Sequence, residues 1–144
     1  MTGCVHRQDG LVFAVEQSAG TATIGLKGVS DARFPSHFLN PLIEEWVERL
    51  KDSEVTVDLR QLEYMNSATV MPIINMVKRL DANGMPVRVV FLDVDWQRIH
   101  GNCMAAIART LKNVRVERQP FTEQGQTPNV DGIPAAAGSK SEPT

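Results

Sequence analysis

Two hydroxyl residues, Ser67 and Thr69, stand beside Asn66 in a short polar loop between two apolar segments. The segment before the loop alternates like a β-strand, and the segment after it has the apolar spacing of a helix. The loop therefore opens a helix, where backbone N–H groups lack partners and the helix dipole is positive. Such a place holds added negative charge, so a hydroxyl there is a candidate phosphate acceptor.

Ser67 is the favoured acceptor and Thr69 is the second choice. If Ser67 is the N-cap, Pro72 comes fifth and removes one helical hydrogen bond. If Thr69 is the N-cap, Pro72 falls in the first turn at little cost. The second arrangement is favoured, and it leaves Ser67 in the loop, open to a kinase. The alternative is an ordinary loop or capping serine without a switch function.

A partner-binding surface is predicted around this loop and along the outer side of the helix that follows. Methionine side chains adapt to varied partners, which favours a docking role for this region. The alternative is that Met71 packs against the first helix. Arg60 and Arg88 are further candidates to pair with a phosphate, and solvated surface arginines are the alternative. The predicted surface comprises Met65, Asn66, Ser67, Ala68, Thr69, Met71, Asn75 and Lys78.

Other chemistry has little support in the sequence. His100 and Cys103 stand three residues apart, but two ligands do not make a metal site, so a surface histidine and a core cysteine are expected. Asp93 and Asp95 lie between a strand and a helix, where capping explains them. Because no phosphate-cradling glycine loop, dinucleotide fingerprint or nucleophile elbow occurs, no enzyme activity, metal or cofactor is predicted. A small hydrolase using Ser67 is the minor hypothesis.

Composition and charge narrow the class of partner. The 144 residues contain 15 Lys and Arg against 17 Asp and Glu, a net charge of −2. This balance provides no basic excess for nucleic-acid phosphates or anionic lipids. No apolar run approaches the roughly 18 residues of a membrane span, and no signal peptide is recognised. A cytoplasmic protein with a protein partner or a small ligand is therefore predicted.

Periodicity predicts a single α/β domain. Two strands, 11–17 and 21–27, form an N-terminal hairpin, and a helix begins with Asn40 as its cap and Pro41 as its first residue. Further strands are predicted at 55–59, 87–92 and 114–117. The second helix carries its apolar stripe on Val70, Ile73, Ile74, Val77 and Leu80, and the third on Trp96, Ile99, Cys103, Ile107 and Leu111.

The expected architecture is a mixed, mostly parallel sheet of about five strands with three or more helices. Residues 1–10 are predicted to be an extension, residues 11–118 the domain and residues 119–144 a disordered tail. The tail is rich in Pro, Gly, Ser and Thr and has few large apolar residues to bury.

The ordered set of elements and short motifs resembles a STAS domain, the fold of the bacterial anti-sigma factor antagonists. The resemblance covers roughly residues 11–118. At the loop before the second helix, the family usually has Asp where this chain has Asn66, and Gly where it has Thr69. The segments that carry the resemblance are 25–35, Val57-Asp58-Leu59, Met65-Asn66-Ser67-Ala68-Thr69 and Asn83-Gly84 with the apolar run after it.

The resemblance implies a protein-binding module controlled by phosphorylation. In the family the serine after the Asp is phosphorylated by a partner kinase, itself an anti-sigma factor, and a phosphatase reverses the change. That serine corresponds to Ser67. An Asn–hydroxyl pair at this point also resembles a related branch of STAS-like proteins whose partner is a diguanylate cyclase. A sensing or scaffolding domain without phosphorylation is a further alternative.

Overall fold

The computed structural model describes residues 2–120, which form seven strands and three helices. The strands alternate with helices after an initial antiparallel hairpin region. In chain order the elements are β1 (Thr2–Gln8), β2 (Leu11–Ser18), β3 (Thr21–Ser30), α1 (Ser36–Arg49), β4 (Glu54–Asp58), β5 (Leu62–Met65), α2 (Ser67–Ala82), β6 (Val87–Leu92), α3 (Asp95–Ala108) and β7 (Val114–Gln119).

One sheet organises the molecule, in the order β1-β2-β3-β4-β6-β7, with β5 paired to β3 beside β4. The first three strands are antiparallel, and β3, β4, β6 and β7 run parallel. Each helical connection moves one step in the same direction across the sheet. Because such crossovers are right-handed, all three helices lie on one face, with α2 packed between α1 and α3.

The core lies between this helical layer and the sheet. Alternate residues of the strands point into it, as Phe13, Ile24 and Val57 do with exposed fractions of 1 % or less. The predicted apolar stripe of α2 is confirmed, since all five of its members are buried. No helix within residues 2–120 is long and apolar enough to cross a membrane.

The sheet has two strands more than the five that periodicity predicts. Residues 2–8, assigned by sequence to an extension, form β1 and pair with β2 along their whole length. β5 is short, and its residues do not alternate, because Glu63 and Tyr64 are both exposed between buried ends. The region of the predicted tail beyond residue 120 lies outside the described residues.

Helix α1 begins before Asn40, so the predicted cap is wrong. Pro35 occupies the N-cap position, and its carbonyl accepts hydrogen bonds from the N–H groups of Phe38 and Leu39. Pro41 therefore lies inside the helix. The earlier start is favoured because it turns Leu39 into the core as part of the helix, where it is almost fully buried.

The predicted stripe of α3 is correct only in part, because Trp96, Ile107 and Leu111 pack against the core but the two other members do not. Ile99 is 68 % exposed and Cys103 is also exposed, while Gln97, Gly101 and Met104 are buried. Gly101 lies against Phe91, and a Cβ there would overlap the phenylalanine ring. The absence of a side chain at Gly101 thus allows the helix to approach β6 closely. The spacing of apolar residues in α3 did not predict this contact.

Gln97 is buried because it completes the backbone hydrogen bonding of two strands. Its Oε1 accepts from the N–H of Leu92 at 2.7 Å, and its Nε2 donates to the carbonyl of Leu62 at 3.0 Å. The amide therefore connects β6 to β5 beneath α3. A buried polar group that is satisfied in this way stabilises one register of the helix.

Candidate functional site

Asn66 is the N-cap of α2, and its amide connects three segments. Its Oδ1 accepts from the N–H of Thr69 at 3.1 Å and from the Thr69 hydroxyl at 2.7 Å. Its Nδ2 donates to the carbonyl of Ala32 at 2.9 Å, and its backbone N–H donates to the carbonyl of Ser30. The cap therefore fixes the start of α2 against the end of β3 and the loop before α1.

Thr69 lies inside this network and does not reach the surface. Its exposed fraction is 0 %, and its hydroxyl lies 2.7 Å from the Ser30 hydroxyl as well as from Asn66. A kinase needs an accessible hydroxyl, so the second-choice acceptor is wrong for this conformation. STAS domains usually have glycine at this position, and the burial and hydrogen bonds of Thr69 explain why this chain has a threonine.

Ser67 is the first residue of α2 and its side chain is exposed. The prediction that Thr69 caps the helix and leaves Ser67 in the loop is wrong, because Asn66 is the cap. Pro72 is consequently the sixth residue of the helix and leaves the carbonyl of Ala68 without its helical donor. The hydroxyl of Ser67 is nevertheless accessible beside the N–H groups of a first helical turn.

The outer side of α2 forms a continuous exposed surface. Ser67, Met71, Asn75 and Lys78 are separated by four, four and three residues, so they lie on one side of the helix. Met71 is 54 % exposed, which rules out the alternative that it packs against α1. We call Ser67, Ala68, Met71, Asn75 and Lys78 the switch face.

Met65 does not belong to the switch face, although sequence analysis includes it. It is the last residue of β5, and only 2 % of it is exposed because its side chain is part of the core. The remaining predicted contact residues keep their role as a prediction. Asn66 is partly exposed, and its side chain serves as the N-cap of α2.

Exposed aromatic residues lie in β5 before the cap of α2 and in the loop that Asn66 binds, and sequence analysis missed them. Phe34, in the loop held by Asn66, stacks on His37 at 5.3 Å between ring centroids. Tyr64, two residues before the cap, is tilted against Trp96 at 5.9 Å. Single aromatic residues among polar neighbours give no periodic signal, so only the fold indicates that they belong together.

The charge of α2 itself is neutral to basic around the switch face. α2 has no acidic residue in its first turn, and its one acidic residue, Asp81, accepts from the backbone N–H groups of Lys112 and Asn113. Lys78 and Arg79 are exposed and form no ion pair within residues 2–120. A phosphate on Ser67 would meet no like charge on its own helix.

Arg60 is not available to such a phosphate. Two of its guanidinium nitrogens donate to the Asp58 carboxylate at 3.0 and 2.9 Å, and a third donates to Gln119 at 3.0 Å. Burial alone would raise the pKa of Asp58, but hydrogen bonds from Arg60 and the nearby cation Arg88 together lower that pKa. Arg88 is itself paired with Glu117 at 2.9 Å.

The groups considered for other chemistry do not assemble into a site. Cys103 is exposed rather than in the core, and no group of three or more potential metal ligands exists among residues 2–120. Asp95 is the first residue of α3 and does not cap it, because the cap is Val94. Asp93 forms an ion pair with Arg98 at 2.6 Å, and that hydrogen bond lowers the pKa of Asp93.

Comparison with solved structures gives the fold its name. No protein-family model and no curated protein matches the chain. SiaC of Pseudomonas aeruginosa superposes with a TM-score of 0.61 at 16 % identity, over 83 % of this chain and 100 % of SiaC. The chain has a STAS-like fold. The predicted fold class is confirmed at this level.

Two further SiaC structures agree with this assignment. Apo-SiaC from Pseudomonas aeruginosa gives a TM-score of 0.57 at 20 % identity, over 83 % of this chain and 99 % of that one. SiaC in complex with the diguanylate cyclase SiaD, which it activates, gives a TM-score of 0.57 at 20 % identity, over 81 % and 98 %. The matches thus cover 98 to 100 % of the SiaC chains and 81 to 83 % of this chain.

Proposed function

We propose that this protein is a non-enzymatic regulator that binds a diguanylate cyclase and activates it. The observation that carries the proposal is the full-length structural match to SiaC, which is the activator of the cyclase SiaD. This match favours the cyclase partner over the anti-sigma factor that the STAS resemblance first implies. A cytoplasmic location fits this role.

The switch face is the proposed contact with the cyclase. It combines an exposed, adaptable methionine, Met71, with the cation Lys78 and an uncharged helix start at Ser67. Phe34 and Tyr64 extend the contact on either side of the cap with exposed aromatic surface. Such a surface fits an acidic patch on the partner with apolar side chains at its centre.

Phosphorylation of Ser67 is the proposed release signal. A phosphate adds about −1.5 to −2 charges at neutral pH. On the protein itself this charge is held by the positive end of α2, so the fold tolerates it. Against an acidic partner the same charge repels, and in a desolvated contact it lacks a counter-ion. A serine kinase and a phosphatase acting on Ser67 belong to this proposal.

Binding measurements with charge variants test the proposal. Each purified diguanylate cyclase of the source organism is titrated with the wild-type chain, Ser67→Asp and Ser67→Ala. One cyclase should bind the wild type and Ser67→Ala alike, while Ser67→Asp loses affinity by about tenfold or more, since like-charge contacts cost several kcal/mol. Asn102→Asp, at an exposed position on α3, is the matched control and should bind as the wild type does.

Two results would contradict the proposal in different ways. Absence of binding to every cyclase would remove the proposed partner. Equal binding of Ser67→Asp would leave the partner and remove the switch. After incubation with the serine kinases of the source organism, phosphopeptide analysis should place a phosphate on Ser67, and Ser67→Ala should abolish it.

A further inference from the structure

The sheet has a second face, which no helix covers within residues 2–120. All three connections place their helices on the same side, so the opposite side of β1 to β4, β6 and β7 is left open. We call this side the open face. Parallel strands are usually covered on both sides, whereas antiparallel strands such as β1, β2 and β3 also occur with one side in solvent, so the side chains of that half decide whether it binds a partner.

The half of the open face formed by β1, β2 and β3 carries three rows of side chains across the strands. The strand register defines the rows because paired residues lie side by side. The first row is basic at both ends, the middle row is small and apolar, and the third row has an acid at its centre. The rows are Arg7–Val12–Lys27, Val5–Ala14–Gly25 and Gly3–Glu16–Thr23.

The two halves of the open face differ in how their charges are satisfied. On the β4–β7 half, Asp58 is paired with Arg60, and Glu117 lies between Arg88 and Arg115. On the β1–β3 half, Arg7, Glu16 and Lys27 are exposed and form no ion pair with another residue in 2–120. The charges of this half are therefore available to an outside partner.

We propose that the β1–β3 half of the open face binds the same half of a second copy of this chain. The two-fold axis runs across the strands along the middle row. This axis places the third row of one copy over the first row of the other. Glu16 of each copy then lies opposite Val12 of the other, between its Arg7 and its Lys27. The arrangement is isologous, so the same ion pairs form twice.

The charges select this axis over the other face-to-face arrangement. An axis parallel to the strands would place Arg7 of one copy over Lys27 of the other, and like charges would meet. The axis across the strands instead stacks the middle rows on each other. Ala14 and Gly25 present little bulk there, and Val5, which is 55 % exposed, gains apolar contact with its own mate.

The geometry of stacked sheets is compatible with this pairing. Sheets pack face to face at about 10 Å with their strands nearly aligned, which suits small side chains in the centre and long charged ones at the rim. A depression of about 200 Å³ lies where this half meets β4, and it is lined by Ala14, Glu16, Gly25 and Lys27 together with Asp58 and Gln61. Its shape leaves room for the side chains of a partner strand.

The proposed dimer leaves both switch faces free. The switch face belongs to the helical side of the sheet, and the dimer contact lies on the opposite side. The two copies therefore present their Ser67 residues outward in opposite directions. A dimeric regulator of this kind would engage two partner molecules, or one dimeric partner, with the gain in avidity that two linked sites provide.

Charge reversal tests the dimer in the full-length chain. Sedimentation equilibrium should give a mass that rises with protein concentration from 15.9 kDa towards twice that value. Glu16→Lys should remain a monomer over the same range, and so should Arg7→Glu/Lys27→Glu. Glu44→Lys reverses an exposed acid on α1 and should dimerise as the wild type does.

A mixture of Glu16→Lys with Arg7→Glu/Lys27→Glu gives the decisive measurement. In the mixed pair, the cation introduced by Glu16→Lys in one chain meets the two carboxylates introduced by Arg7→Glu/Lys27→Glu in the other. The native Glu16 of that second chain meets the native Arg7 and Lys27 of the first. A heterodimer should therefore form at the wild-type concentration. Combining all three reversals in one chain should restore the homodimer.

Three results would overturn the proposal: a wild-type chain that stays monomeric at every concentration, a dimer that survives either reversal, or a mixture that does not associate. Ser67→Asp should dimerise normally. Loss of partner binding without loss of the dimer therefore separates failure of this inference from failure of the proposed function.

Discussion

At the scale of single residues, the side chain of Asn66 stabilises the site through several hydrogen bonds, and the neighbouring Ser67 does not. One amide group caps α2, fixes the buried Thr69 hydroxyl and anchors the loop that presents Phe34. Ser67, by contrast, forms no side-chain hydrogen bond with another residue in 2–120. This separation of roles suits a switch, because phosphorylation would change the charge at Ser67 while Asn66 keeps the start of α2 in place.

Replacement of Asn66 tests this division. Asn66→Ala should lower the free energy of unfolding by about 1–3 kcal/mol, since it removes an N-cap and leaves a buried hydroxyl with one partner fewer. Asn66→Asp keeps the acceptor but cannot donate to Ala32, so its loss should be smaller. Urea denaturation of the three proteins measures the difference. Equal stability of the alanine variant and the wild type would contradict the role of the cap.

At the scale of elements, α3 and β6 depend on Gly101 for their close contact. Gly101→Ala should destabilise the protein by about 1–3 kcal/mol, because overpacking against Phe91 exceeds the helical preference for alanine of about 1 kcal/mol. Asn102→Ala, on the exposed side of the same helix, is the matched control and should cost little. Thermal unfolding measures both variants.

A second substitution distinguishes overpacking from a backbone effect at Gly101. Phe91→Leu provides space at the site of overlap, so it should restore part of the stability that Gly101→Ala loses. If the double variant is less stable than the sum of the two single effects predicts, the clash is not the cause. Double-mutant analysis of the four proteins gives this interaction energy directly.

The ion pair between Asp58 and Arg60 connects β4 to β7 through Gln119, and it should make stability depend on pH. The pKa of Asp58 is lowered in the folded protein from its usual value near 3.8. Its contribution to stability is therefore complete above that value and is lost as the pH falls through the folded pKa.

Asp58→Asn is the variant that reveals this contribution. The difference in unfolding free energy between wild type and Asp58→Asn should be constant near neutral pH and should shrink as the pH falls below about 4. A difference that stays constant down to the acid limit would mean that the Asp58 charge contributes nothing to folding.

At the scale of the whole molecule, regular patterns predicted the elements that are buried on one side or both. The α2 stripe from Val70 to Leu80 and the apolar run of β6 are examples, because burial imposes a period on the sequence. From these elements the class of fold follows directly, whereas the start of α2 was predicted at Thr69 and lies at Ser67.

The features that the sequence patterns did not predict depend on single contacts and not on a periodic spacing of apolar residues. α3 is oriented by the missing side chain at Gly101 and by the amide of Gln97, neither of which belongs to an apolar stripe. The caps of α1 and α2 depend on which carbonyl or amide reaches which N–H group. β1 is an edge strand with mixed exposure, so nothing in its composition separates it from an extension.

The opposite placement of the two surfaces gives the molecule a simple organisation. One side of the sheet carries helices and the switch face, and the other carries the self-complementary rows of β1, β2 and β3. Because the two surfaces lie on opposite sides of the sheet, we expect substitutions on the switch face to leave self-association unchanged.

The most direct test of the proposed function is the rate at which a diguanylate cyclase of the source organism makes cyclic diguanylate. The purified enzyme is assayed alone, with the wild-type chain, with Ser67→Asp and with Asn102→Asp. We expect the wild type and Asn102→Asp to raise the rate and Ser67→Asp to leave it at the value of the cyclase alone. Equal activation by Ser67→Asp, or a rate that no form of the chain changes for any cyclase, would contradict it.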